Sequence, residues 1–273
     1  MPSSTSAQEV TPGTPEWLTR PVPELEVEAT NERDDNELRT DRDAYTIVPT
    51  TVRPGQSIIE SSYSYIDNPG FPSTHSFPEL LVRVGLTERA ELRLGWNYDV
   101  GGSSEATDVS SEFDFASPTD VNGNFLFGVK LRLLDGEGWR PATSMALVGI
   151  TPTSGGDNTT DPAVDTVFEW KLRNDWLLGV GMRYAVLTEP GEYYNQWSPS
   201  AVLRIPFGER WNAHAEYFGV TTDGNDRDAN QQYFSPGGHF EVTENFEIGL
   251  RFIIGLTPTA DSFVANTGIG LRF

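Results

Sequence analysis

The sequence predicts an all-β fold, a transmembrane up-and-down antiparallel β-barrel of about twelve strands behind a flexible N-terminal arm. Three observations predict it: one strand with two unlike faces, an alternation of short and long connections, and the way the chain ends. The stretch from Trp176 to Tyr184 carries Trp176, Leu178, Val180, Met182 and Tyr184 on one face and Leu177, Gly179, Gly181 and Arg183 on the other. A period of two places the faces of a pleated strand in different surroundings. Aromatic residues at both ends of the apolar face suit a layer with two boundaries, as a bilayer has. Eight steps of about 3.3 Å, tilted by roughly 40°, give about 20 Å of height, near the apolar band of an outer-membrane barrel.

Bulk composition narrows the classes. The chain has 273 residues, a formal net charge of −21 and no cysteine. Its mean hydropathy is −0.40, and no run approaches the roughly 18 apolar residues of a spanning helix. A strand barrel stays compatible, because only alternate residues face lipid. The acidic balance argues against nucleic acid, which calls for clustered Lys and Arg. Met1 to Val10 shows neither a basic nor an apolar signal-peptide region, so a mature or trimmed chain is expected.

The elements follow in order. Residues 1–53 are rich in Pro, Glu, Asp, Thr and Ser without apolar periodicity. Such composition buries too little surface to offset ordering entropy, so a flexible acidic periplasmic arm is expected, with Thr40 to Val52 able to fold back towards the barrel. The barrel occupies residues 54–273. Its strand-like segments begin near Gln56, Glu79, Ala90, Asn124, Pro141, Val164, Trp176, Gln196, Trp211, Gln232, Phe246 and Ser262. Short turns (L-T-E-R-A, L-D-G-E-G-W, L-R-N-D-W, F-G-E-R-W, V-T-E-N-F) alternate with long connections at Asp67–Phe77, Val100–Asn122, Pro152–Asp161, Thr188–Asn195 and Thr222–Gln231. The last connection on the long side, Thr257–Asp261, is short. Tight turns at one end and long polar loops at the other mark an up-and-down outer-membrane barrel, and an even strand count puts both barrel ends on the turn side, the periplasm.

A soluble antiparallel sandwich or barrel also alternates. Against it, the non-apolar face repeatedly combines Gly with Arg or Glu. Aromatics also recur as an expected girdle: Trp139, Trp176, Trp211 and Phe246 at strand starts, with Trp96, Tyr98, Tyr184 and Trp197. The terminal F-V-A-N-T-G-I-G-L-R-F aligns Ile269, Leu271 and Phe273 on one face, as in the segment that outer-membrane assembly machinery recognises.

Several of these stretches carry a family resemblance. They are T-D-R-D-A-Y-T before the barrel, R-P-G-Q-S-I-I-E-S-S-Y-S-Y, F-P-E-L-L-V-R-V-G-L-T-E-R-A-E-L-R-L-G-W-N, T-P-T-S-G-G and the terminal G-I-G-L-R-F. Over about Thr40 to Phe273 the chain resembles the outer-membrane barrel proteins assigned to transport in the phenol meta-degradation (MetA) pathway. One departure is T-D-R-D-A-Y, where a Pro after the Arg is usual. The resemblance implies passage of small solutes, aromatic or hydrophobic ones included, through an outer-membrane channel. Two alternatives stay open: a sealed structural or surface-interaction barrel, and a soluble ligand-binding β-barrel. Expected partners are outer-membrane lipid and lipopolysaccharide, the assembly machinery and small-molecule solutes, with the protein a monomer.

With apolar faces outward, the lumen receives Arg83, Glu91, Arg93, Lys130, Arg132, Glu169, Lys171, Arg183, Arg204, Glu216, Glu241, Glu247, Arg251 and Arg272, joined by Glu60 and Asp165. Arg93, Arg132, Glu169, Arg183, Glu216 and Arg251 are the expected selectivity residues. A lattice of salt bridges stiffening the wall is the plainer use of the same charges, since an unpaired buried ion costs several kcal/mol. Gly85, Gly95, Gly128, Gly179, Gly181, Gly249 and Gly268 also face inward. Relief for long neighbours in a small curved barrel is the preferred explanation; the other is packing against a plug formed by the arm. Asp223, Asn225, Asp226 and Asp228 lack the Gly and distal Glu of a calcium loop. With only His75, His214 and His239, and no nucleophile elbow, phosphate loop or zinc spacing, neither catalysis, a metal nor a cofactor is expected.

Overall fold

The computed structural model describes residues 37–67, 72–101, 121–154, 159–189, 192–223 and 230–273. The first 36 residues of the arm, and loop residues including Asn225, Asp226 and Asp228, lie outside them. Twelve strands run in chain order: β1 (Ser57–Asp67), β2 (Thr74–Thr87), β3 (Ala90–Gly101), β4 (Val121–Leu134), β5 (Ala142–Pro152), β6 (Asp161–Lys171), β7 (Leu177–Glu189), β8 (Glu192–Phe207), β9 (Trp211–Asp223), β10 (Asn230–Thr243), β11 (Phe246–Gly255) and β12 (Phe263–Arg272). Each pairs antiparallel with its sequence neighbours. β1 closes on β12 from Ile58↔Arg272 to Asp67↔Phe263, so no edge is left unpaired.

Two predicted loops are strand instead. β2 begins at Thr74, inside the expected connection Asp67–Phe77. Pro78 argues against a strand there, but the register shifts between Ser76 and Leu80, and that irregularity absorbs the missing donor. Likewise the expected loop Thr188–Asn195 is a tight hairpin, with β7 and β8 paired out to Glu189↔Glu192.

Burial alternates along the strands. In β3, Glu91, Arg93, Gly95, Asn97 and Asp99 are buried, while Trp96, Tyr98 and Val100 are exposed. The exposed apolar side chains, among them Phe125, Phe127, Leu147, Phe168, Met182, Tyr217, Leu250 and Phe252, lie on the outer face. The inward face changes character along the barrel axis. Towards the short turns it is ionic, whereas towards the long connections it carries Leu126, Val148, Ile150, Leu187, Tyr194, Val220, Tyr233 and Ile253, all buried.

The short-turn half of the interior holds a segment of the chain itself. Thr40 to Val52, expected only to fold back towards the barrel, runs inside it and is buried almost throughout. Leu38 and Val52 meet Ile58 of β1 near its entrance. Tyr45, near its middle, reaches an apolar cluster with Phe218 and Tyr233. The segment is therefore a re-entrant loop, and among the described residues the isolated bridge to the sheet backbone is made just beyond it, from Pro54 to Gly85.

Candidate functional site: a lumen closed by its own chain

The segment's sequence, T-D-R-D-A-Y-T-I-V-P-T-T-V, has neither helical nor strand periodicity. Its buried amides must nevertheless find acceptors, and carboxylates of the barrel wall provide them. Glu60 of β1 accepts the amides of Asp41 and Arg42, both at 3.0 Å. Glu91 of β3 accepts that of Val52 at 2.8 Å. Glu216 of β9 accepts those of Tyr45 and Thr46 at 2.8 and 2.7 Å, together with the Thr46 hydroxyl.

Charge pairing adds to this. Asp41 meets Arg93, lies 2.7 Å from Lys130 Nζ and 3.4 Å from Arg83 Nε, and accepts the amide of Val48. Burial pushes its carboxyl up, but Arg83, Lys130 and Arg93 outweigh burial and hold it well below the usual carboxylate range. Arg39 forks both guanidinium nitrogens onto Glu169 at 2.9 and 2.8 Å, and Arg204 shares that carboxylate at 3.2 Å. Burial alone would lower the Arg39 pKa; Glu169 raises it instead. Asp43 pairs with His239 Nδ1 at 2.7 Å, which with Arg42 holds its carboxyl low despite burial. The Tyr45 ring stacks on Phe218 at 4.4 Å, with interplanar angle 1°, and the Arg183 guanidinium lies 5.5 Å from its centroid.

The inward glycines face this loop. A Cβ on Gly85 would lie 1.9 Å from the carbonyl oxygen of Arg53. Gly179 and Gly181 abut Thr46, Gly249 and Gly268 abut Arg42, and Gly270 abuts Thr40. Close approach of a plug, and not relief of curvature, therefore accounts for Gly85, Gly181, Gly249, Gly268 and Gly270, which corrects the preferred reading for the first four, whereas Gly179 also makes room for the Arg204 side chain, as that reading has it. Gly128 instead packs against the neighbouring strand at Leu147 and Val148.

The sequence-predicted lumen residues are distributed as follows. Glu60, Arg83, Glu91, Arg93, Lys130, Asp165, Glu169, Arg183, Glu216, Glu247 and Arg251 are buried inside the barrel. Arg132, Arg204 and Glu241 are half-buried; Arg132 pairs with the turn residue Asp135, and Glu241 accepts from Asn212. Lys171 pairs with Asp175 at the short-turn mouth, and Arg272 caps the Glu244–Asn245 turn. Arg183 forks onto Asp165. Sequence reasoning missed Arg39, Thr40, Asp41, Arg42, Asp43, Tyr45 and Thr46. The signals for them were the inward glycines and an inward list with more bases than acids.

Outside, aromatic side chains form two belts. Trp139, Trp176, Trp211 and Phe246 lie at the short-turn end, with Trp211 packed on Phe240 at 4.7 Å. Trp96, Tyr98, Tyr184 and Trp197 lie towards the other end, with Tyr184 and Trp197 in contact at 4.3 Å. On β12, Ile269 and Phe273 are exposed and Leu271 is half-buried. Between the re-entrant loop and the wall, a cavity of about 890 Å³ opens among the short turns and reaches Asp43, His214 and His239.

Comparison with known proteins agrees with this architecture. A family model described as "Putative MetA-pathway of phenol degradation" matches residues 40–273. An outer membrane channel from Pseudomonas putida F1 superposes with a TM-score of 0.57 at 12% identity, covering 82% of this chain and 97% of that one. The NanC porin superposes at 0.51 and 10% identity, covering 80% and 98%. Comparison with curated proteins gives no match.

Proposed function

The chain belongs to the MetA-pathway family of phenol degradation, and from that premise we propose that it is an outer-membrane channel for small aromatic or hydrophobic solutes, gated by its own Thr40–Val52 loop. The observation that carries this reading is what the interior holds. A barrel sealed for good can close itself with wall side chains, whereas here the short-turn half holds a loop tied to the wall through side chains, with an isolated backbone bridge just beyond it. Such a loop can leave without breaking a strand ladder. The apolar upper lumen, with Phe218, Tyr233, Leu187 and Ile253, suits solutes that partition from water; the ionic half below it suits a loop. Outward apolar side chains between two aromatic belts support a place in the bacterial outer membrane.

A sealed structural barrel is the second reading, favoured by the density of buried ion pairs around Asp41. Purified protein in planar bilayers separates the two. Discrete openings, with faster permeation of phenol-sized aromatics than of sugars of equal mass into proteoliposomes, are expected. A barrel without openings, even after the loop is weakened, would leave the sealed reading standing.

A further inference from the structure

Between Thr40 and Val52 the loop carries one aromatic ring, that of Tyr45, and the wall receives it in a slot suited to a flat ring. Phe218 of β9 and Tyr233 of β10 stand opposite each other in the register, with ring centroids 4.9 Å apart and an interplanar angle of 18°. Tyr45 stacks on Phe218 at 4.4 Å and 1°, so the three rings are nearly parallel. The Arg183 guanidinium of β7 lies 5.5 Å from the Tyr45 centroid, within cation–π reach, and Asp165 of β6 holds it from behind through two hydrogen bonds.

Phe218, Tyr233, Arg183 and Asp165 all belong to barrel strands. The loop supplies only the occupant, so the slot stays formed when the loop leaves. A plain hydrophobic anchor would explain part of this, but an anchor asks for apolar area alone. Ile47, two residues on, is such an anchor: it packs in a cluster of wall aliphatics that includes Leu81, Leu126 and Ile150. Parallel rings and a cation over the ring face instead favour an electron-rich aromatic ring over an aliphatic group of the same size.

We propose that the slot of Phe218, Tyr233 and Arg183 binds the ring of a phenolic solute, and that Tyr45 is a built-in substitute for that solute. The two compete, and a solute lodged on Phe218 holds the loop undocked. The coupling is local. Glu216, which accepts the amides of Tyr45 and Thr46, lies two residues before Phe218 on the same inward face of β9. The loop's ring and its backbone are therefore gripped at one place, and a foreign ring there keeps Tyr45 from returning to both contacts. The rest of the cluster around the slot, Ile66, Val220, Ile253 and Val264, is apolar wall towards the long connections, which suits a ring that has left water. This inference deepens the channel reading and rests on it for the route by which a solute arrives.

The test uses the full chain in detergent micelles. The probe is 4-methylphenol, which is the tyrosine side chain cut between Cα and Cβ, and 4-methylcyclohexanol is its saturated control. Tyr45→Ala vacates the slot and should bind 4-methylphenol at least about tenfold more tightly than wild type in a saturation-transfer NMR titration, since no occupant has to leave first. Adding Phe218→Leu should abolish that gain in protein whose heat-dependent gel shift shows it folded, and the saturated alcohol should show no gain. In the unaltered protein 4-methylphenol should speed trypsin cleavage of the Arg39–Thr40 bond several-fold, read by mass, because Arg39 is docked on Glu169 only while the loop is in place; 4-methylcyclohexanol should not. Equal affinity of wild type and Tyr45→Ala, a gain that survives Phe218→Leu, or equal effects of the two alcohols on cleavage would overturn the proposal. None of these readouts needs conductance, so a sealed barrel can pass them and a conducting one can fail them.

Discussion

Replacing Asp41 by alanine removes the carboxylate on which Arg93, Lys130 and Arg83 converge, and with it the acceptor of the Val48 amide. Breaking a buried pair by deleting one partner costs about 3–5 kcal/mol, because the other charge is left uncompensated. Glu91 and Glu60 remain 2.8–3.4 Å from the same cations, so the lower figure applies. About 3 kcal/mol taken from the docked loop raises the open-to-closed ratio on the order of a hundredfold. The assay is single-channel recording of refolded protein, comparing wild type, Asp41→Ala and Asp135→Asn. Asp135 pairs with Arg89 where both side chains are more than half exposed, so its loss should leave opening unchanged. Folded Asp41→Ala protein with the open probability of wild type would refute the reasoning.

Tyr45→Ala should raise open probability further than Tyr45→Phe, since only the alanine loses the stack on Phe218 and its contact with Arg183, a loss of about 3 kcal/mol or more for a buried ring; recordings showing the two alike would count against docking at that slot. Gly85→Ala forces a methyl to within 1.9 Å of the Arg53 carbonyl unless the loop moves, at about 1–3 kcal/mol, and should expose the Arg39–Thr40 bond to trypsin. Gly219→Ala meets only the Gln231 carbonyl at 3.4 Å and should stay resistant. For pH the sign follows from Asp41, whose docked carboxyl titrates below its ordinary value of 3.8. Its contribution to holding the loop is complete above that ordinary value and falls as pH drops through the docked one. The difference in opening between wild type and Asp41→Asn should therefore be flat from pH 7 down to about pH 4 and shrink below it; a difference that vanished by pH 6 would point to other groups.

The wall was legible in the sequence and the plug was not, for physical reasons. A strand such as Leu177–Glu189 shows its two environments through a period of two, and turns such as N-D-W or E-N-F mark where it reverses. Pro78 and the E-P-G-E stretch read as breakers, but pairing with flanking strands carried β2, β7 and β8 through them. The loop's order comes from contacts far away in sequence, such as Arg39 with Glu169, 130 residues apart. No local pattern reports such a contact. Its composition matches that of a disordered tail, and only the side chains waiting inside the barrel make it fold. Inward phase correctly grouped Arg83, Glu91, Arg93 and Lys130, yet could not say that their counter-ion was Asp41.

The most direct measurement locks the loop in place. The Thr46 and Ser200 hydroxyl oxygens are 2.8 Å apart, and the chain has no native cysteine, so Thr46→Cys with Ser200→Cys can form a single defined disulfide. In planar bilayers the oxidised protein should stay shut, and reduction should bring back openings. Equal conductance before and after reduction, with the disulfide confirmed by mass, would contradict a gate made by this loop.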